Sequence, residues 1–304
     1  MSTSSHLAFG GDETRRAVLL ARLDEHRDAG TIMPFGPSWT GTGGTPAGCI
    51  AGSNDPADFA RATGFPPSLM PLLDFLCPRC GDVERSADAG EAADLARAWL
   101  MGVTPGADLT NLPGLILCAL LDEAAAQAGD EPGVIAARDR IVALHRATMA
   151  GERPGAAAWR AARAAAVAAT DAAQEPDGQR VGRLVEAAAW DPATSSSILQ
   201  EVVMAWLEIQ AHAAAAATGW TAADDAAVER CFQACRTESL EAGEQLEAFA
   251  FPPRFHARAP DLARRFDTQL AAANAAYFQA VHALAQRCLD HLAAARPPGM
   301  PAAA

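Results

Sequence analysis

Near the end of the chain, Leu262, Phe266, Leu270, Ala273, Tyr277, Val281, Leu284, Cys288 and Leu292 recur at intervals of 4-4-3-4-4-3-4-4. That repeat is eleven residues in three turns, about 3.67 residues per turn, close to a straight α-helix and distinct from a heptad. A helix with one continuous apolar stripe needs something to bury it against. The spacing therefore predicts a long terminal helix lying along a core over its whole length.

Start and stop signals divide the rest of the chain in the same way. Asp12 caps a first helix carrying Val18, Leu19, Leu20 and Leu23. Asp55-Pro56 supplies a capping acid with proline at the first helical position, and Gly64 closes that helix. A short helix follows Pro67, and others run from Asp88 to Trp99, Thr110 to Ala128 and Pro132 to Ala150. Pro154 opens an Ala-rich segment containing Trp159, and Asp191-Pro192 opens a helix carrying Ile198, Val202 and Trp206. Thr221 and Asp224 form a start resembling a capping box, for a helix running towards Phe249 until Pro252-Pro253 break it. The fold expected is all-α, a multi-helix bundle of about ten to eleven helices with one long Gly-rich loop near the N-terminus. Residues 174–178 (QEPDG) are the most linker-like stretch, so the chain reads as regions 1–174 and 179–295 or as one continuous domain, with a frayed tail over 296–304.

Composition narrows the function. Apolar residues make up 50% of the 304 and aromatic residues only 6%, so close-packed alanine helices must carry much of the core. The cations are all arginine, and 24 of them face 37 carboxylates, a net charge of −13 that repels phosphate backbones. With no basic stripe, nucleic acid is excluded as an expected partner. Apolar runs fall short of the roughly 18 residues of a membrane span, and the N-terminus lacks the pattern of a secretion signal. Seven scattered cysteines fit a reducing compartment, so a cytoplasmic location is expected.

Residues 30–54 break the helical grammar. They are crowded with Gly and Pro, without a 3.6 period, yet contain Ile32, Met33, Phe35, Trp39 and Ile50. Such residues are scarce in disordered linkers, so an ordered loop packed on the bundle is expected. Trp39, Gly48 and Cys49 are its candidate ligand-binding residues. No Gly-Lys-Ser/Thr motif accompanies the glycines, so the loop is not a phosphate cradle of known type.

Chemistry-bearing residues are few. Cys77 and Cys80 form a C-x-x-C turn, which suits half of a zinc site or a redox pair. Cys231 and Cys235 would complete four ligands if their helix crossed that turn, but their apolar neighbours suit buried thiols equally well. His26, at the end of the first helix, pairs with Cys49 as base and nucleophile if the two meet, or simply caps the helix dipole. Asp108 is a third catalytic candidate, with helix capping as its plain alternative. His212, His282 and His291 lack the partner spacing of a metal site. No cofactor is required by any motif, zinc at Cys77/Cys80 being the sole candidate.

His26-Arg27, the loop with Trp39, Gly48-Cys49, Gly64-Phe65-Pro66, Gly106–Thr110 and Trp159–Ala162 occur in an order resembling an uncharacterised family of Ala-rich helical bacterial and phage proteins. The resemblance covers about residues 15–170. That family usually carries a second Cys four residues before Cys49, where this chain has Thr45. The resemblance implies a helical fold, no settled activity and a role in phage–host conflict or immunity as one reading. The leading expectation is a non-catalytic interaction or accessory protein that binds a protein partner, itself or a small ligand through the Gly-rich loop. The alternative is a Cys-dependent or zinc-binding enzyme centred on Cys49 or on Cys77/Cys80.

Overall fold

A computed structural model of the chain describes residues 5–81, 85–243 and 249–299. Among them thirteen α-helices and no strand occur, and none of the helices is long and apolar enough to cross a membrane. In chain order they are α1 (Glu13–Asp28), α2 (Pro46–Ala51), α3 (Pro56–Thr63), α4 (Leu69–Leu76), α5 (Ala89–Gly102), α6 (Leu112–Ala125) and α7 (Pro132–Met149). Then follow α8 (Ala156–Ala172), α9 (Pro176–Ala187), α10 (Ile198–Ala217), α11 (Ala222–Glu241), α12 (Phe251–Arg258) and α13 (Pro260–Ala294).

Caps place these boundaries. Asp55 Oδ1 accepts the Ala57 N–H at 2.8 Å ahead of α3, and Gly64 closes it with φ 77°. Asp88 and Glu91 form a reciprocal box at the start of α5, as do Thr221 and Asp224 at α11. Each such side chain satisfies N–H groups that a helix start leaves unpaired, worth about 1 kcal/mol.

The helix count exceeds the ten to eleven expected because α2, α9 and α12 form where a loop, a linker and a helix break are expected. The expected loop 30–54 is interrupted by α2: Thr45 Oγ1 accepts the Gly48 N–H, Pro46 starts the first turn, and Gly52 ends it at φ 66°. Pro176 at the first helical position opens α9, without a side-chain cap from Glu175, so the linker-like QEPDG stretch is a helix start. Pro252 and Pro253 lie in the first turn of α12, where no intrahelical N–H is required, and so begin a helix there. Helix α11 ends at Glu241, short of Phe249, and residues 244–248 lie outside the described residues. Asp191-Pro192 does not open α10, which starts at Ile198; Asp191 forms a turn in which it accepts from the N–H groups of Ala193 and Thr194.

Two compact units divide the chain, one comprising Met1–Ile209 with Phe278–Ala304 and the other Gln210–Tyr277. Within the first, α1 packs on α2, α3 and α5, while α6 to α9 pack on one another. Phe9, Phe59 and Phe65 are fully buried and meet ring to ring at 5.8 and 6.1 Å. The α8–α9 seam is tight because it is written in small residues. Ala162 and Ala166 are buried on α8, and a Cβ at Gly182 would come within 2.3 Å of Thr170 Oγ1. Within the second unit, Cys231, Cys235, Phe255 and Ala263 form a core with Leu262 and Phe266 against it.

The stripe on α13 is fully buried at its C-terminal end only. Val281, Leu284, Cys288 and Leu292 are buried in the first unit and Leu262 and Phe266 are partly buried against the core of the second, whereas Leu270 is 43% exposed. The regular spacing thus serves two cores in place of the single one expected. The tail expected to fray from residue 296 is held at its first residue, whose carbonyl accepts the Asp108 N–H at 2.9 Å. Residues 300–304 lie outside the described residues.

Candidate functional site

The Gly-rich segment closes on α2 because three glycines allow a backbone approach that no side chain would permit. A Cβ at Gly48 would lie 1.6 Å from the Ser38 carbonyl oxygen, one at Gly44 would lie 1.9 Å from it, and one at Gly43 would lie 2.3 Å from Thr31 O. The Met33 N–H donates to Gly44 O at 2.8 Å, and the Gly44 N–H to Thr31 O at 3.1 Å. Asn54 brackets Trp39, accepting its N–H at 2.6 Å and donating to its carbonyl at 2.8 Å.

This closure leaves a cleft of about 480 Å³ between the loop, α4 and the N-terminal half of α10. Phe35 and Ser38 contribute from the loop, Asp74 and Phe75 from α4, Arg79 from the turn after it, and Met204 from α10. Ser38 Oγ donates to Asp74 Oδ2 at 2.7 Å. Burial raises the carboxyl pKa of Asp74, and the Thr45 and Ser38 hydroxyls and the Ala47 N–H offset that only in part. Its second oxygen, Oδ1, is buried with no hydrogen-bond partner among the described residues. The Arg79 guanidinium lies 4.0 Å from the centre of the Phe75 ring and donates to the Phe75 carbonyl at 2.9 Å. Phe35 and Met204 remain 55% and 51% exposed.

A second cleft of about 710 Å³ lies in the same unit, where the N-terminus of α6, the C-terminus of α7 and the 191–194 turn meet. Its wall includes His145, whose side chain is fully buried, and His6. The His145 ring lies 4.9 Å from that of Trp159, tilted by 58°, and its Nε2 lies 2.9 Å from Ala188 O. A carbonyl offers no hydrogen, so Nε2 carries the proton and Nδ1 the lone pair. Burial lowers the His145 pKa to about 4 and keeps the ring neutral; the Ala188 carbonyl and the nearby Asp191 act the other way.

The sequence-derived candidates lie elsewhere. Neither cleft is lined by His26, Trp39, Gly48, Cys49, Cys77, Cys80 or Asp108. The His26 ring meets Trp39 edge-on at 5.3 Å, with Nδ1 2.8 Å from Thr31 Oγ1, while the Cys49 thiol donates to Gly44 O at 3.4 Å. Histidine and cysteine therefore engage different partners. Burial pushes the Cys49 thiol up to about 11, and the nearby Asp74 adds to this, whereas an attacking cysteine needs its pKa lowered. Gly48 serves the close approach to Ser38. Asp108 Oδ1 accepts the Thr110 N–H at 2.9 Å, and its carboxylate lies near the His6 ring.

Cys77 is fully buried and donates to Ala92 O at 3.3 Å; Cys80 donates to Cys77 O at 3.0 Å. Both thiols are pushed up by burial. Cys231 and Cys235 are core side chains of the second unit. Among the described residues no group of three or more His, Cys, Asp or Glu could hold a metal ion. Of the seven cysteines only Cys80 is not buried. In the native protein a maleimide should therefore modify Cys80 first. Cys49, with about one thiol in a thousand ionised at pH 8, should stay unmodified until unfolding. Peptide mapping reads both, and fast labelling of Cys49 would show that its thiol is accessible and activated.

Sequence reasoning missed Asp74 and His145 as site residues, though a signal existed for the histidine. It follows Val134, Ala137 and Ile141 on the apolar face of α7, an unusual place for an imidazole. Comparison of the chain with protein-family models, curated proteins and solved structures finds no match.

Proposed function

We propose that the protein is a helical interaction module that receives a protein partner in the cleft beneath its Gly-rich loop. The observation carrying this reading is the pair of large apolar side chains, Phe35 and Met204, left more than half exposed on one cleft. Aromatic residues and methionine are enriched where proteins meet, and the unbranched thioether adapts to a partner's shape. Asp74 and Arg79 line the same cleft and supply its charged groups. The partner accordingly presents an apolar side chain to Phe35 and Met204. A second copy of the chain is one such partner, and a small ligand with the same features would occupy the same place.

Full-length protein carrying Phe35→Ser with Met204→Ser tests this. Both positions are exposed, so the double variant should melt within a few degrees of the parent. The parent should retain a specific partner in affinity capture from its native cells, or self-associate in sedimentation, and the double variant should weaken that association at least tenfold. Capture unchanged by the two substitutions, or a parent that is monomeric and retains nothing, refutes the reading.

A further inference from the structure

Asp74 stands on α4 beneath the Gly-rich loop, and the donors around its carboxyl belong to the chain segment that covers it. Ser38 Oγ donates from the loop to Oδ2 at 2.7 Å. At the start of α2 the Thr45 hydroxyl and the Ala47 N–H also favour the charged form, yet Oδ1 is buried without a partner among the described residues. Enclosing a carboxylate with an incomplete set of partners is unfavourable, and burial outweighs the three donors in raising its pKa. Lifting the loop would let water reach Oδ1 and remove that cost. The chain has room for this at Gly30 and Gly41, which take φ of 65° and 97° with nothing within 4 Å of where a Cβ would sit.

The elements packed on α4 supply few competing charges. Residues 31–54 carry no titratable side chain but Cys49, on α2, and the turn after α4 carries Cys77. Both thiols lie near Asp74 and are pushed up by burial, so they stay neutral in mild acid and at neutral pH. Arg79 of the same turn lines the cleft beside Asp74 and stacks on Phe75. On α3, Asp55 caps the helix, and Asp58 and Arg61 pair with each other. Helix α10 contributes Gln200 and Met204 to the cleft, neither of which titrates.

We propose that Asp74 is a proton-operated clasp on the Gly-rich loop, which closes on α4 as Asp74 takes up a proton and loosens as the proton leaves. In the closed form the neutral acid keeps its bond to Ser38, with Oδ2–H donating to Oγ, and no charge is buried. In the open form water solvates both oxygens of the carboxylate. Closure raises the carboxyl pKa above that of the solvated group, so protons favour closure. The gain is complete below the ordinary carboxylate range and is lost as the pH rises through the raised value. Phe35 and Ser38 form part of the wall of the cleft, so the clasp would make that wall firmer in mild acid and looser at neutral pH. As control of partner binding this rests on the reading above; the closure itself does not.

Amide exchange over residues 33–48 of the full-length protein reads closure directly when expressed as protection factors, which remove the intrinsic pH dependence of exchange. Between about pH 4.5 and pH 7.5 the parent's protection should fall by at least about threefold. Asp74→Asn is neutral throughout and should show no such fall. Ser38→Ala removes a donor that favours the carboxylate, so the midpoint of the fall should move to higher pH. His145 acts with the opposite sign, acid lowering global stability, and is common to all three proteins. A flat parent profile overturns the proposal, as does an equal fall in Asp74→Asn or an unmoved midpoint in Ser38→Ala. Should Asp74→Asn not fold, the parent and Ser38→Ala decide it. No partner enters the measurement, so a failed clasp and a failed partner-binding reading are told apart.

Discussion

Replacing Gly48 with alanine is expected to destabilise the protein by about 2–3 kcal/mol, the cost typical of overpacking in a well-packed interior. The added methyl would lie 1.6 Å from the Ser38 carbonyl oxygen, a backbone atom that moves only if the loop moves with it. Ser38 also holds Asp74, so displacement of the loop breaks the 2.7 Å hydrogen bond and opens the cleft lined by Phe35 and Met204. Gly102→Ala is the matched control. It lies at the end of α5 with nothing within 4 Å of where the new methyl would sit, and alanine's helix propensity makes that change neutral or mildly stabilising. Urea titrations of the two variants measure the difference. A Gly48→Ala protein as stable as its parent would mean that the loop does not pack on α2 as described.

The second large effect is a loss of stability in mild acid that originates at one residue. The folded pKa of His145 is about 4, against 6.5 for the free side chain, so unfolding takes up a proton between those values. Its contribution is fully present above about pH 6.5, declines as the pH falls and levels off near pH 4. The fall amounts to about 3 kcal/mol over the window, from 1.36 kcal/mol per pKa unit. His145→Gln retains a donor for Ala188 O but cannot titrate, so its stability deficit relative to the parent should shrink by about that amount between pH 7 and pH 4. A deficit that stays constant across the window would show that His145 titrates normally and that its ring is not held neutral. Burial sets the fall, and the Ala188 carbonyl and, less, the Asp191 carboxylate limit it by favouring the imidazolium.

Helix starts were the most legible features because capping is local. Asp55-Pro56, Asp88 with Glu91 and Thr221 with Asp224 each satisfy N–H groups a few residues away, and each opens the helix expected of it. A proline at the first helical position was also present at Thr45-Pro46, where Thr45 caps, and at Glu175-Pro176, where no side chain does, and neighbouring glycines suggested loop and linker instead. At Asp191-Pro192 the signal misled in the other direction. Asp191 spends its carboxylate on a turn, and that turn became a wall of the second cleft. The residues singled out for their chemistry, His26, Cys49, Cys77, Cys80 and Asp108, line neither cleft. Residue type indicates what a side chain can do, whereas burial and partners decide what remains for it to do.

The amino-acid order alone determined that this chain is helical, where most of its helices begin, and that the C-terminal stripe forms one face of a long helix. Those properties depend on contacts within about four residues. Only the tertiary structure decided that the stripe serves two cores and leaves Leu270 exposed, that Gly48 exists to admit the Ser38 carbonyl, and that Asp74 and His145 each keep one unpaired polar atom. Each of these depends on atoms distant in sequence competing for the same space and the same hydrogen bonds, and no local pattern records the outcome of that competition.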